Sequence, residues 1–408
     1  WSGGGNTRTQ REAHHPHLIY YIIVTMDTPL EESNLAHIGS DADKAAREAA
    51  AQFEVNWEGA GAEVGIQIWR VENVRDENDN PVFGIHKWPK KRYGEFYNGD
   101  SYLLLQTTQD PEGETKLLWD IFFWIGTESS QDEYGVAAYK ANELDDFLGA
   151  APIQHRETQD HESEDFLSLF PKGIRYLDGG IDGGFRNVGA DSNDENYANI
   201  PKRLFHCRRT GRKEPKCSQV PVGCKSLNQG DCFVLDAGKE IYTWFGEECS
   251  PFEKRKASEI AHNIVLNRYG HAHLVEDVDD EHEEFWTAMG GKGDIASASD
   301  YQEPAGPPEQ TAPKMYIVSD DVDARIHITE VTNVSKESLD SDNVNLIDVG
   351  SHVYIWVGKG ASHREQSQSM VIVNTHLKNF SREKNTQVVR LLEGQESRCK
   401  GFKAVMSQ

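Results

Sequence analysis

No stretch of this chain approaches the roughly 20 consecutive apolar residues that a membrane-spanning helix needs. The apolar run Leu18–Val24 is much shorter; it follows Arg8 and Arg11 but no small-x-small cleavage site follows it, so it is not read as a leader. The chain opens on Trp1, and residues 1–25 read as an extension, with Met26 a candidate start. Cysteine is scarce as well, with six in 408 residues and none in a paired C-x-x-C zinc arrangement. Cys207, Cys217, Cys224, Cys232, Cys249 and Cys399 are therefore expected to be reduced thiols of a cytosolic protein. Positive charge is in short supply: 42 Lys and Arg stand against 67 Asp and Glu, a net charge of −25. That balance argues against general affinity for nucleic acid or anionic membranes outside local basic patches, and it suits a cation-binding protein. Catalytic signatures are missing too. There is no G-x-S-x-G, P-loop or dinucleotide fingerprint, and the acidic–histidine run at 271–285 lacks H-E-x-x-H and reads as a solvated loop. No enzyme is expected.

What the chain does have is a threefold repeat. An apolar strand ends in Trp-x-Gly at Trp124–Gly126, at Trp244–Gly246 and at Trp356–Gly358. In each copy a glutamate follows seven positions after the glycine: Glu133, Glu253 and Glu365. The copies stand about 110 to 120 residues apart, the size of small domains rather than solenoid units. Each begins with a turn that carries an acid, Gly99-Asp100, Gly230-Asp231 or Ser341-Asp342, and each continues past the tryptophan into an amphipathic helix. The helices are expected at Asp132–Leu148, Glu253–Arg268 and Glu365–Phe380; in the first, Ala137, Ala138, Ala141, Leu144 and Leu148 recur at helical spacing. Hairpin-linked strands alternating with helices predict an α+β fold with mixed sheets. Composition divides the chain into a tail (1–50), a first domain (51–185), a polar linker (186–200), a second domain (201–290), a Gly/Pro/Ser linker (291–313) and a third domain (314–408).

The opening acid and the helix glutamate together offer carboxylate and carbonyl oxygens, a donor set suited to Ca²⁺. The structural alternative is that Gly-Asp is a common turn and that acids favour helix N-termini; three copies at fixed spacing weigh toward metal. A basic cluster, Lys202, Arg203, Arg208, Arg209, Arg212 and Lys213, stands out in this acidic chain. On a strand with one basic face it suits phosphates; alternatively it is a strand edge guarded by charge.

The segments "GIQIWRVEN", "FYNGDSYLLLQT", "FFWIGTESSQDEYGVAAYKANELDDFLG", "PIQHRETQDHESEDFLSLFPKGIRYLDGGIDGGF" and "KRLFHCRRTGRK" resemble the first half of the gelsolin family, and three repeats make the chain most similar to its severin/fragmin branch. The resemblance covers about residues 56–400 and implies three gelsolin-like domains, each a mixed sheet packed between a long and a short helix. It implies a monomeric cytoplasmic protein of the cytoskeleton that needs Ca²⁺, severs actin filaments, caps their barbed ends and is inhibited by phosphoinositides. Carried over residue by residue, it implies a Ca²⁺ site at the Gly99 carbonyl, Asp100, Glu133 and the Ile181 carbonyl. A second Ca²⁺, shared with actin, would use Asp145 and carbonyls near Ala150 and Pro152. Further sites would use Gly230, Asp231, Glu253 and Asp300, and then Asp342 and Glu365. Tyr139, Lys140, Leu144, Asp145 and Phe185 would face actin, and the 202–213 cluster would bind phosphoinositides. Secreted relatives pair two cysteines in the second domain; here Cys232 matches one and Phe245 stands at the other, so that bridge is not expected. The alternatives are a capping or scaffold protein that does not sever, and an unrelated metal-dependent enzyme.

Overall fold

The structure is a computed structural model that describes residues 55–407, apart from 76–80, 112, 114–115, 130, 172, 180–201, 210–214, 267, 269–270, 301–308, 321–325 and 383–385. The tail (1–50), the linker (186–200), Ile181, Phe185, Arg212 and Lys213 lie outside the described residues, and so does the Glu133 side chain.

The first repeat runs β1 (Gly65–Arg75), β2 (Pro81–Lys87), β3 (Glu95–Tyr97), β4 (Ser101–Gln109), β5 (Leu117–Ile125), α1 (Gln131–Phe147), β6 (Ile153–Thr158), α2 (Glu164–Ser168) and β7 (Arg175–Leu177). The second runs β8 (Arg203–Arg208), β9 (Lys216–Val220), β10 (Cys232–Asp236), β11 (Glu240–Phe245), α3 (Pro251–Leu266), β12 (His273–Val275) and α4 (Glu283–Ala288). The third runs β13 (Lys314–Ser319), β14 (His327–Val331), β15 (Val344–Asp348), β16 (His352–Val357), α5 (His363–Asn379), β17 (Gln387–Leu392) and α6 (Lys400–Val405). The long helices start one or two residues before the positions expected from periodicity.

In every repeat an antiparallel hairpin (β4–β5, β10–β11, β15–β16) is followed by the long helix, which crosses over to a parallel partner (β6, β12, β17). Two antiparallel pairs of consecutive strands and one parallel crossover in each repeat give a mixed sheet. The long helix covers one face and the short helix the other, so the central strands are buried on both sides and read as nearly continuous apolar runs such as "LIDV" and "CFVLD". The tryptophans of the Trp-x-Gly strands are 0%, 5% and 3% exposed, core residues as their setting predicts. Of the α1 stripe, Ala137, Ala141 and Leu144 are buried, while Ala138 and Leu148 are half-buried.

Two sheets cross the repeat boundaries. The order β14-β13-β15-β16-β17-β6-β5-β4-β1-β2 joins the third repeat to the first through an antiparallel β17–β6 pair, with Arg390 opposite Gln154, Val389 opposite His155 and Val388 opposite Arg156. The order β12-β11-β10-β8-β9-β7-β3 adds two short strands of the first repeat to the second. A single apolar cluster holds α1 residues of repeat one and α5 residues of repeat three together. Among the described residues no helix is long and apolar enough to cross a membrane.

One expectation fails here. Cys207 and Cys217 form a disulfide, and they sit directly opposite each other on β8 and β9. Cross-strand neighbours are within bridging reach although ten residues separate them in sequence, a relation that motif spacing does not reveal. The expectation of reduced thiols therefore holds only for Cys224, Cys232, Cys249 and Cys399, and the inference from cysteine to the cytosol falls away.

Candidate functional site: carboxylates at the repeat junctions

The repeated glycine explains why turn and helix meet. A Cβ on Gly126 would lie 2.1 Å from the Asn98 carbonyl oxygen, one on Gly246 2.4 Å from that of Gln229, and one on Gly358 2.2 Å from that of Ser341. Only glycine lets the opening turn lie this close to the strand end. The Gly126 amide then donates to the Asp100 carbonyl and the Gly246 amide to that of Asp231, whereas in repeat three Gly358 donates to Asn343. The strand registers agree: Ser101, Cys232 and Val344 each face the residue just before the glycine. Asp342 is thus the counterpart of Gly99 and Gly230, and Asn343 replaces the acid at the position of Asp100 and Asp231. With no glycine in "SDSDN", the sequence could not fix that register.

Each of these opening acids is held by a basic side chain of the chain. Asp100, fully buried, accepts from Arg70 Nε at 2.7 Å. Asp231 bonds His206 Nε2 at 2.7 Å and accepts from Asn228 Nδ2 at 2.9 Å. Burial opposes ionisation of Asp231, but the His206 bond and charge, with Asn228 and Arg208, hold its carboxyl below the ordinary range. Arg70 and His206 occupy matching ladder positions, opposite Tyr102 and Phe233; in repeat three Ile317 stands there, opposite Asn345. The acid and its basic partner are lost together.

Glu253 and Glu365 close the N-termini of their helices. Glu253 accepts from the amides of Ser250 (2.7 Å) and Arg209 (2.6 Å), and Glu365 from those of Ser362 (2.9 Å) and Asp320 (2.9 Å). Ser250 and Ser362 return the bond to the glutamate amides, which completes a capping box in each. The signal was in the sequence: Ser-x-x-Glu occurs at Ser130–Glu133, Ser250–Glu253 and Ser362–Glu365. The structural reading of the glutamates holds in repeats two and three. Glu365 carries a further feature. Burial pushes its carboxyl up to about 7 against the two backbone bonds, and the neighbouring charge of Asp320 adds to the rise. Asp320 was not singled out by sequence.

The remaining candidates are placed as follows. The Gly99 amide bonds the Gly179 carbonyl, which brings the chain leading to Ile181 to this turn. Gln229 bonds the Ala296 carbonyl, and Ala298 lies 2.9 Å from a Cβ on Gly230, so the segment leading to Asp300 returns to the second turn. Asp300 itself accepts from the Ser297 amide and hydroxyl and is exposed. Asp145, at the end of α1 and 4% exposed, meets Arg390 of β17 at 3.5 Å, a contact between repeats one and three. Ala150 follows with φ of 55°, Pro152 is buried, and Gln395 donates to the neighbouring Ala151 carbonyl at 2.7 Å. Arg398 adds a 2.7 Å bond to Asp120, and Arg156 a 3.1 Å bond to the Thr386 carbonyl. Arg390, Arg398 and Gln395 carry no local sequence signal. Tyr139 and Lys140 are half-buried on α1, with Lys140 bonded to Glu143 at 3.0 Å, but Leu144 is wholly in the core.

The basic cluster differs from the expected basic face. β8 lies inside its sheet and Leu204–Cys207 are buried, so the charges sit at the strand ends rather than along one face. Lys202 is exposed and bonds the Ala288 carbonyl; Arg203 pairs with buried Asp236 at 3.1 Å; Arg209 stacks on Phe252 at 4.0 Å.

The donor set of these junctions is carboxylate and carbonyl oxygen, which suits a hard cation such as Ca²⁺. Among the described residues no three acidic, histidine or cysteine side chains are already gathered as a metal cluster.

A sequence model of the gelsolin repeat matches residues 89–167, 214–286 and 327–398. The chain is 34% identical over 379 residues to gelsolin of Drosophila melanogaster, covering 90% of this chain and 45% of that protein, so it spans just under half of that relative's length. It is 34% identical over 373 residues to gelsolin-like protein 2 of Lumbricus terrestris, 90% of this chain and 95% of that one. It is 35% identical over 348 residues to a protein of Platymeris rhadamanthus named actin depolymerising venom protein gelsolin 1, 83% of this chain and 88% of that protein. With three matched repeats built on one strand–turn–helix frame, the chain belongs to the gelsolin family.

Proposed function

We propose that the chain is a calcium-regulated actin-binding protein that severs filaments and caps their barbed ends, and that the conformation described is its closed state. The observation that carries this reading is the Arg390–Asp145 contact, in which repeat three holds the carboxylate expected to serve an actin-facing cation. The same logic recurs inside the repeats, where Arg70 and His206 hold Asp100 and Asp231. When bound, Ca²⁺ supplies a divalent charge that these carboxylates favour over a guanidinium or an imidazole. Asp100, Asp145, Asp231, Glu133, Glu253, Asp300, Glu365 and Asp320, with carbonyls of the opening turns, are the groups that would hold it.

Release of Asp145 from Arg390 loosens the β17–β6 junction. β6 then loses β17 while keeping β5, and the end of α1 is uncovered. Tyr139 and Lys140 on the outer face of α1 are the proposed actin contacts; Leu144, being core, supports the helix instead. Calcium can shift this equilibrium only by binding the open state more tightly. Severing needs no covalent step, because contacts with actin replace contacts between filament subunits. Lys202, Arg208 and Arg209 at the ends of β8 support a phosphoinositide contact that opposes actin binding, while Arg203 is drawn off by Asp236. The relative named for actin depolymerisation is consistent with the reading.

Single-filament fluorescence microscopy tests it. Substoichiometric protein should fragment preformed filaments in Ca²⁺ and leave them intact in chelator. Halted barbed-end growth without breaks would reduce the protein to a cap, and no effect of Ca²⁺ would overturn the proposal.

A further inference from the structure

Repeat two holds four of the six cysteines on or beside one apolar face. Cys207 lies opposite Cys217 on one side and opposite Cys232 on the other, and Cys217 takes it in a disulfide. Cys232 is left as a thiol, and Cys249 packs against the apolar cluster that contains it. The backbone sets this proximity. The Gly246 amide bonds the Asp231 carbonyl, the Glu248 amide bonds the Gln229 carbonyl, and the Cys249 amide bonds the Gly246 carbonyl. The loop after β11 is thereby turned back over the start of β10, and Cys249 packs against the cluster containing Cys232. Cys232 is fully buried, whereas Cys249 is partly exposed. A partly exposed thiol thus lies in the same cluster as a buried one, the arrangement of an attacking and a resolving cysteine.

We infer that Cys232 and Cys249 form a thiol-oxidation site that closes a second disulfide in repeat two, with glutathione disulfide or a similar small disulfide as oxidant. Cys249 thiolate attacks one sulfur of glutathione disulfide, forming a mixed disulfide and expelling one glutathione thiolate. Cys232 thiolate then attacks Cys249 Sγ, forming the Cys232–Cys249 bond and expelling the second glutathione. Both cysteine protons pass to the two departing glutathione thiolates. The protein thiols are oxidised by two electrons and the glutathione disulfide is reduced by two. The new bond ties the loop that leads into the Ser250–Glu253 capping box to the first residue of β10. Closing this loop restricts the unfolded chain and stabilises repeat two.

The test uses the full chain as purified, incubated in chelator with glutathione disulfide and mapped by mass spectrometry of unreduced peptides. Wild type should yield a Cys232–Cys249 linked peptide beside the Cys207–Cys217 one, and its melting temperature should rise by several degrees. Cys249→Ser should yield only the Cys207–Cys217 peptide and no rise, which also controls for other effects of the oxidant. The inference is overturned if Cys249 accumulates only as a glutathione adduct, if Cys232 pairs with Cys207 instead, or if the linked protein melts at the unlinked temperature.

Discussion

Replacing Arg390 by alanine should open the molecule at lower calcium. Arg390 and Asp145 are 5% and 4% exposed and meet at 3.5 Å between β17 and α1. Removing one partner of a buried pair leaves an uncompensated charge and costs about 3–5 kcal/mol. The low end applies, since the pair is long and Asp145 keeps a further interaction. The cost falls on the closed state alone, because Asp145 is solvated once repeat three has moved away. At about 1.4 kcal/mol per factor of ten, 3 kcal/mol shifts the closed-to-open ratio by roughly a hundredfold. If three equivalent calcium ions drive opening, the calcium midpoint falls by the cube root, roughly fivefold. Small-angle scattering across a calcium titration reads that midpoint through the radius of gyration, and hydrogen exchange of β6 and β17 in chelator reads the basal opening. A midpoint and exchange rates equal to wild type would refute the claim that this contact restrains the closed state.

Other expectations follow from the same geometry. Gly246→Ala places a methyl 2.4 Å from the Gln229 carbonyl oxygen, and should cost about 1–3 kcal/mol in denaturant unfolding of repeat two. Ser362→Ala removes one half of the capping box on α5 and should cost about 1 kcal/mol by the same assay. The pH dependence rests on Glu157 and Glu365, both pushed up to about 7 by burial; for Glu157 this works against its bonds to Ser163, with Glu162 adding to the rise. A folded value above the ordinary one means that this contribution is fully present below about pH 4.5 and is lost as pH rises through about 7, at up to about 1.4 kcal/mol per pH unit. The melting temperature in chelator should therefore fall between about pH 4.5 and 7, and Glu157→Gln should remove part of that fall, leaving the share of Glu365.

Much of the fold was legible because it is local. The Trp-x-Gly strand, the helical stripe of Ala137, Ala141 and Leu144, and the turns before β4 and β10 all lie within a few residues of their partners. What the sequence hides depends on partners elsewhere in the fold. Ser-x-x-Glu announces the capping boxes that Glu253 and Glu365 close, a second role beside the metal-ligand role that their spacing to the glycine suggests. Asp342 was set beside Asp100 and Asp231 because "SDSDN" has no glycine to fix the turn, and only the Gly358–Asn343 bond shows the one-residue offset. Arg390 lies 245 positions from Asp145, and a pairing of two sheet edges at that distance leaves no period or spacing to find. The partners of the carboxylates come from other strands.

The central claim, that β17 must leave β6 before the chain can act on actin, has a direct test. Cysteines at His155→Cys and Val389→Cys, a directly opposed antiparallel pair, can be bridged to lock the junction. Filament severing in saturating Ca²⁺ is then measured on the oxidised double variant and again after reduction, with wild type treated in parallel. The account predicts no severing while the lock is closed and recovery once it is reduced. Equal severing by the locked and unlocked chain would contradict it.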